Sequence, residues 1–152
     1  MYTGSNSERK RSDQVQKYTH LIFAFLLFSL FNFILNFPVY ISVFAFIGAM
    51  VPDLDIKVRS LHRKIFHNVW FLFIILFVLL QSGVIDNMVA AVFSIGFISH
   101  LITDSLTPTG IMPFWPIEKP RFRGKIKTGS SFEFLFMIAM LVFIFVFSSV
   151  LL

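Results

Sequence analysis

The sequence predicts an all-α, polytopic membrane helical bundle of about five transmembrane helices, with the N-terminus in and the C-terminus out. Three observations carry this. Hydrophobic residues make up 57% of the 152 residues and mean hydropathy is +0.81, more apolar surface than a water-soluble domain of this size can bury. The 22 phenylalanines are spread along long uncharged runs instead of being confined to half-buried strands. All thirteen Lys and Arg residues fall on one side of the bilayer when five spans are threaded through it, which is the cytoplasmic side by the positive-inside rule.

The apolar runs are residues 21–35, 38–51, 69–80, 84–103 and 132–152. Before them, residues 1–17 form a polar segment expected in the cytoplasm, and residues 18–152 form a single transmembrane domain. Arg9, Lys10 and Arg11 ahead of an apolar run resemble a signal peptide, but no small-residue cleavage pattern follows, so the first run reads as an uncleaved anchor. As one helix, residues 21–51 would be about 46 Å long against a hydrocarbon core of about 30 Å. Asn32, Asn36 and Pro38 supply a break, and a helical hairpin turning near Asn36, Phe37 and Pro38 is predicted. Each arm is short for a full crossing unless the first helix begins near Val15. Fusing the arms would set Arg9, Lys10, Arg11 and Lys17 opposite every other basic residue, so charge favours five spans in a multi-pass protein of the cytoplasmic membrane.

Composition also restricts partners and cofactors. There is no cysteine, so any metal must be held by His and carboxylate groups. The net charge of +5 is that of short basic loops beside apolar spans. Membrane lipid is the expected partner, and no nucleic acid is expected.

The five-span threading gathers the ionisable residues as well as the basic ones. His20 opens the first span, His67 the third, and His100 lies near the inner end of the fourth, with His62 in the loop between. Asp53 and Asp55 close the second span, Asp104 the fourth, and Glu133 opens the fifth. Ionisable groups at membrane depth are costly and are usually paired or functional. His100 and Asp104, spaced i, i+4, project from one helical face, as two ligands of one metal or a helix-terminal hydrogen-bonded pair would. Pro52 to Asp55 is a helix stop bearing two carboxylates, a pattern equally at home in a solvated turn. His62 and His67 would diverge by about 140° on one helix, so only His67 is expected beside the helix-borne ligands. His62 is left to a second metal, to orienting a ligand or to substrate. Glu133 follows Ser130 and Ser131, either of which can cap the last helix, with Glu133 part of the cap or a ligand.

The ordered pattern of His20, Pro52-Asp53-Leu54-Asp55, His62-Arg63 to His67, and Ser99-His100 through Asp104-Ser105-Leu106-Thr107, with Gly110 and Pro113, resembles the YdjM-like family of membrane-bound hydrolases regarded as metal-dependent. The likeness covers His20 to about Pro116. That family is thought to be distantly similar to zinc-dependent phospholipase C and the S1/P1 nucleases. The resemblance implies a ligand set of His20, Asp55, His67, His100 and Asp104 around one or two Zn²⁺ ions, with Mn²⁺ an alternative. The later His and His-x-x-x-Glu elements of those enzymes are absent here.

The resemblance implies hydrolysis of a phosphoester, such as a phospholipid or lipid-linked phosphate, at the cytoplasmic leaflet. Asp55, His67, His100 and Asp104 would hold one metal, with Asp104 bridging to a second at His20. Asp53 is the expected general base or an orienter of a ligating imidazole, and Asp55 shares the catalytic assignment. Arg63, Lys64, Arg121, Arg123 and Lys125 are candidates to hold a phosphate, or they only fix topology. Residues 107–116 form a turn-rich loop read as a lid or, through Phe114 and Trp115, as an interfacial anchor. Two rival readings are a metal or proton transporter and a structural protein stapled by metal.

Overall fold

The computed structural model describes residues 6–54, 65–117, 119–126 and 130–151. Among the described residues there are five α-helices: α1 (Asn6–Leu35), α2 (Ser42–Met50), α3 (Val69–Gln81), α4 (Asn87–Ser105) and α5 (Ser131–Leu151). The one β pairing among these residues is an isolated bridge between Ile111 and Phe122.

Each predicted apolar run is helical, and local chemistry sets the ends. α1 stops where a break was predicted. Asn36 takes a φ of 50°, a left-handed conformation that Asn tolerates, and Asn32 Oδ1 accepts from the Phe37 amide at 2.6 Å. Pro38 then leads through a 3-10 turn, Val39–Ile41, into α2. α1 begins at Asn6, well before Val15, and runs without interruption across residue 17. α4 begins at Asn87 because Asp86 caps it, its carboxylate accepting from the Val89 amide at 2.8 Å. Asn68 caps α3 in the same way through the Trp70 amide.

Helix length supports the expected crossings in part. Among the described residues, only Lys17–Leu35 and Asn87–Ser105 are long and apolar enough to cross a membrane. Val39–Asp53, Val69–Gln81 and Ser131–Val146 are shorter apolar helices. The 13 residues of α3 reach about 20 Å, well under the roughly 30 Å hydrocarbon core.

α4 is the centre of the bundle, packing on α1, α2 and α3, while α1 also meets α2 and α5. Small residues bring α2 and α4 into backbone contact. A Cβ added at Gly96 would lie 1.8 Å from the Ala45 carbonyl oxygen, and one at Gly48 2.2 Å from that of Phe93. Such crossings are typical where helices associate in lipid. One apolar cluster joins Phe28, Ile41, Ala45 and Val92, and another joins Leu72, Phe93, Phe97, Leu101 and Ile111. The outer faces keep Phe73, Ile74 and Phe77 of α3 and Leu135, Val142 and Phe145 of α5 exposed, an apolar surface suited to a lipid solvent.

The segment after α4 folds back as a strap. Ile111 and Phe122 exchange both backbone hydrogen bonds, and the amides of Gly124 and Ile126 donate to the carbonyls of Thr107 and Leu106. Ile111 is buried in the second cluster. The Val69 amide donates to Pro113 O at 2.8 Å, and Asn68 Nδ2 donates to Trp115 O at 2.7 Å. The loop read as a lid or an anchor is therefore pinned to the start of α3, next to residue 67.

Candidate metal centre

Four separate segments deliver ionisable side chains to one point. α1 carries His20. Pro52 turns the chain out of α2 through the 3-10 turn Val51–Asp53 and so presents Asp53. His67 stands just ahead of the Asn68 cap, held in place by the strap. α4 carries His100 and Asp104 one turn apart. His20, His67, His100 and Asp104 are 0–4% exposed, whereas the Asp53 side chain is 26% exposed.

Tetrahedral ligation at about 2.0–2.1 Å sets donor atoms roughly 3.3 Å apart. His67 Nε2 lies 3.1 Å from His100 Nε2 and 3.1 Å from Asp104 Oδ2. His100 Nε2 lies 3.7 Å from the same carboxylate oxygen, and Asp53 Oδ1 lies 3.8 Å from each imidazole Nε2. These spacings bracket the edge of a tetrahedron. Asp104 turns its second oxygen, Oδ1, toward His20 Nε2 at 3.5 Å. Two overlapping trios, His20 with His100 and Asp104, and Asp53 with His67 and His100, keep their donor atoms within 4.8 Å of one another. This buried His/Asp group can hold a metal ion.

Neighbouring oxygens set which imidazole nitrogen faces the centre. His100 Nδ1 donates to the Ala49 carbonyl at 2.7 Å, a contact that the close α2–α4 crossing permits. Thr103 Oγ1 donates to carbonyls of its own helix, Ser99 at 3.1 Å and His100 at 2.9 Å, and so accepts from His20 Nδ1. In each neutral ring the lone pair is then on Nε2, directed inward, as for metal-bound histidines. His20 Nε2 is buried with no hydrogen-bond partner, a cost that a cation would offset. The His20 and His100 rings stack at 4.0 Å and 17°, and His67 meets His100 edge-on at 4.9 Å.

Residues 15–151 match a protein family described as YdjM inner membrane protein. The chain belongs to the YdjM family. It is accordingly a membrane protein, and the match takes in α1 from residue 15, α2 to α5 and every residue of the centre. No curated protein and no solved structure matches the chain.

In this YdjM-family chain, His20, His67, His100 and Asp104 come together as the sequence pattern suggests. Asp53, read as a base or orienter, lies at ligand spacing. Asp55, His62, Arg63 and Lys64 lie outside the described residues. Arg121, Arg123 and Lys125 are exposed on the strap, and none of them lines the cavities that meet His20. Lys17 does, together with Tyr18, His20, Ala49 and Asp53, around a cavity of about 360 Å³ that gives the centre its opening. Ser130 provides the cap of α5, its Oγ accepting from the Glu133 amide at 3.3 Å. The Glu133 carboxylate turns inward and accepts from Thr19 Oγ1 at 3.0 Å, beside a cavity of about 30 Å³ that His20 and Thr103 also line.

Three contributors escaped the sequence reading: Lys17, Thr103 and the Ala49 carbonyl. The i, i+3 spacing of His100 and Thr103 was available, but threonine near a helix end is ordinary. A backbone acceptor leaves no mark in residue type at all.

Proposed function

We propose that this protein is a metal-dependent hydrolase of phosphoesters carried by membrane lipids at the cytoplasmic leaflet, with Zn²⁺ as its metal. The observation that supports this most is the convergence of Asp53, His67, His100 and Asp104 at 3.1–3.8 Å beside an open cavity. A metal with structural duty alone is normally closed off by four protein ligands, whereas a hydrolytic one keeps a position for water. Here His67, His100 and Asp104 supply three donors sealed in the bundle, and the side toward Asp53 and the cavity is left for water.

Bound to these residues, a divalent cation supplies Lewis acidity toward a phosphoryl oxygen and acidifies water. The protein does the rest. Asp104 and the two buried imidazoles fix the cation, Ala49 and Thr103 hold His100 and His20 in the competent tautomer, and Asp53 accepts the proton of the attacking water. Lys17, at the cavity wall, attracts the phosphate. Five spans with the basic loops inside complete the reading, because they put the cavity at headgroup depth next to its substrate.

The test is metal analysis of detergent-purified protein with phosphoesterase assays on lipid and soluble substrates. His100→Ala should lose metal and activity together. Asp53→Asn should keep most of the metal while activity falls roughly 10²-fold or more. A metal-loaded wild type that cleaves no phosphoester in either panel would move the assignment to a structural metal.

A further inference from the structure

A second cavity adjoins the one at the centre and shares part of its wall. The first, about 360 Å³, is lined by Lys17, His20, Leu21, Met50 and Asp53 among others. The second, about 520 Å³, is lined by Leu21, Ile22, Phe25, Phe46, Met50, Leu141 and Ile144, all of them apolar. Leu21 and Met50 belong to both walls. The two lie one after the other along α1, the first with charged residues in its wall and the second with apolar residues alone.

From this shared wall we infer that the apolar cavity between α1, α2 and α5 is the seat for one alkyl chain of the lipid whose phosphate lies at Asp53 and His20. The inference rests on the hydrolase reading for the position of the phosphate. Its own support is the order of chemistry along α1. Lys17 matches an anionic head, the His20 imidazole and Asp53 carboxylate follow, and beyond Leu21 every lining residue is apolar. Lys17 to Phe25 is eight residues of α1, or about 12 Å, comparable to one leaflet of a hydrocarbon core about 30 Å thick. Such a seat selects by shape and by where it fixes the head, because lipid tails gain no hydrophobic energy on leaving bulk lipid.

The experiment uses the full chain loaded with Zn²⁺ in nanodiscs, with Phe25→Trp as a fluorescence reporter and a non-cleavable alkylphosphonate brominated on its chain as quencher. The brominated alcohol of the same chain length reports contact with bulk lipid. Quenching by the phosphonate should saturate, reverse with unlabelled phosphonate, and give at least about tenfold tighter apparent binding than the alcohol, since charged hydrogen bonds hold the head. Leu21→Trp, which narrows the junction of the two cavities, should lower hydrolysis of alkyl phosphate esters by roughly 10²-fold through lost positioning while sparing a soluble aryl phosphate. Retained aryl phosphatase activity and an unchanged Zn²⁺ content in Leu21→Trp separate narrowing from misfolding. Equal, non-saturating quenching by phosphonate and alcohol would overturn the seat even if phosphoesters are cleaved. Saturable phosphonate quenching in a protein that cleaves no phosphoester would uphold the seat and sink the hydrolase reading.

Discussion

At the scale of single residues, the centre depends on groups that never touch its middle. Thr103 holds His20 through Nδ1 while bonded to its own helix. Thr103→Val keeps the shape and removes that acceptor, so apparent Zn²⁺ affinity should fall by about 10- to 100-fold with the fold intact. Thr103→Ser should restore it. Competition with a chromophoric chelator reads this out, and equal affinity in all three proteins would remove Thr103 from any orienting role. The legibility of the site divides along the same line. Buried His20, His67, His100 and Asp104 could be picked out because ionisable residues at span ends are expensive and so carry information. Asp53 was recognised as important, but its ligand spacing depends on how Pro52 turns the chain, which no spacing rule encodes. Lys17 was counted as a topology residue, and only the course of α1 beside α2 brings it to the cavity.

At the scale of elements, the α2–α4 crossing couples packing to the site. Gly96 abuts Ala45, and one turn further along each helix Ala49 receives the His100 proton donor. Gly96→Ala must push the backbones apart and should cost about 1–3 kcal/mol, the usual penalty of overpacking. Reversible unfolding in mixed micelles measures that loss. Because His100 and Asp53 ride on the two separated helices, metal affinity should drop as well, and a variant that loses stability but binds Zn²⁺ normally would uncouple the crossing from the centre. The elements themselves were well signalled by apolar runs, by Asn36 and Pro38, and by the Ser130 cap. The length of α1 was not, since it begins at Asn6. Hydropathy reports where a chain is apolar, whereas Asp86, Asn68 and Pro52 decide where a helix starts or stops.

At the scale of the whole molecule, charge makes a statement that helix length does not. Among the described residues two helices are long and apolar enough to cross a membrane, whereas gathering all thirteen basic residues on one side would take five passages. Short helices can be accommodated by local thinning of the bilayer at modest cost. Reporter fusions at Leu152 and inside the basic segment near Arg123 should therefore score on opposite sides of the membrane. Both on one side would refute five spans and detach the cavity from the cytoplasmic leaflet. The membrane class was readable from composition alone, since lipid is the only solvent for so much apolar surface. Orientation remained a matter of counting charges, because a folded bundle looks the same whichever way it faces.

The spread of the centre over four segments also bears on the order of events during synthesis. His20, Asp53 and His67 emerge from the ribosome well before His100 and Asp104, and no pair among the first three is close in sequence. Until α4 has entered the bilayer and met α2 at Gly96, the early ligands have no common point to face. Capture of a metal by this centre would then be a late event, and a filled centre would certify that the first four helices have found their partners. A chain arrested before α4 should leave the insertion machinery without metal and stand out to the proteases that clear unfinished membrane proteins.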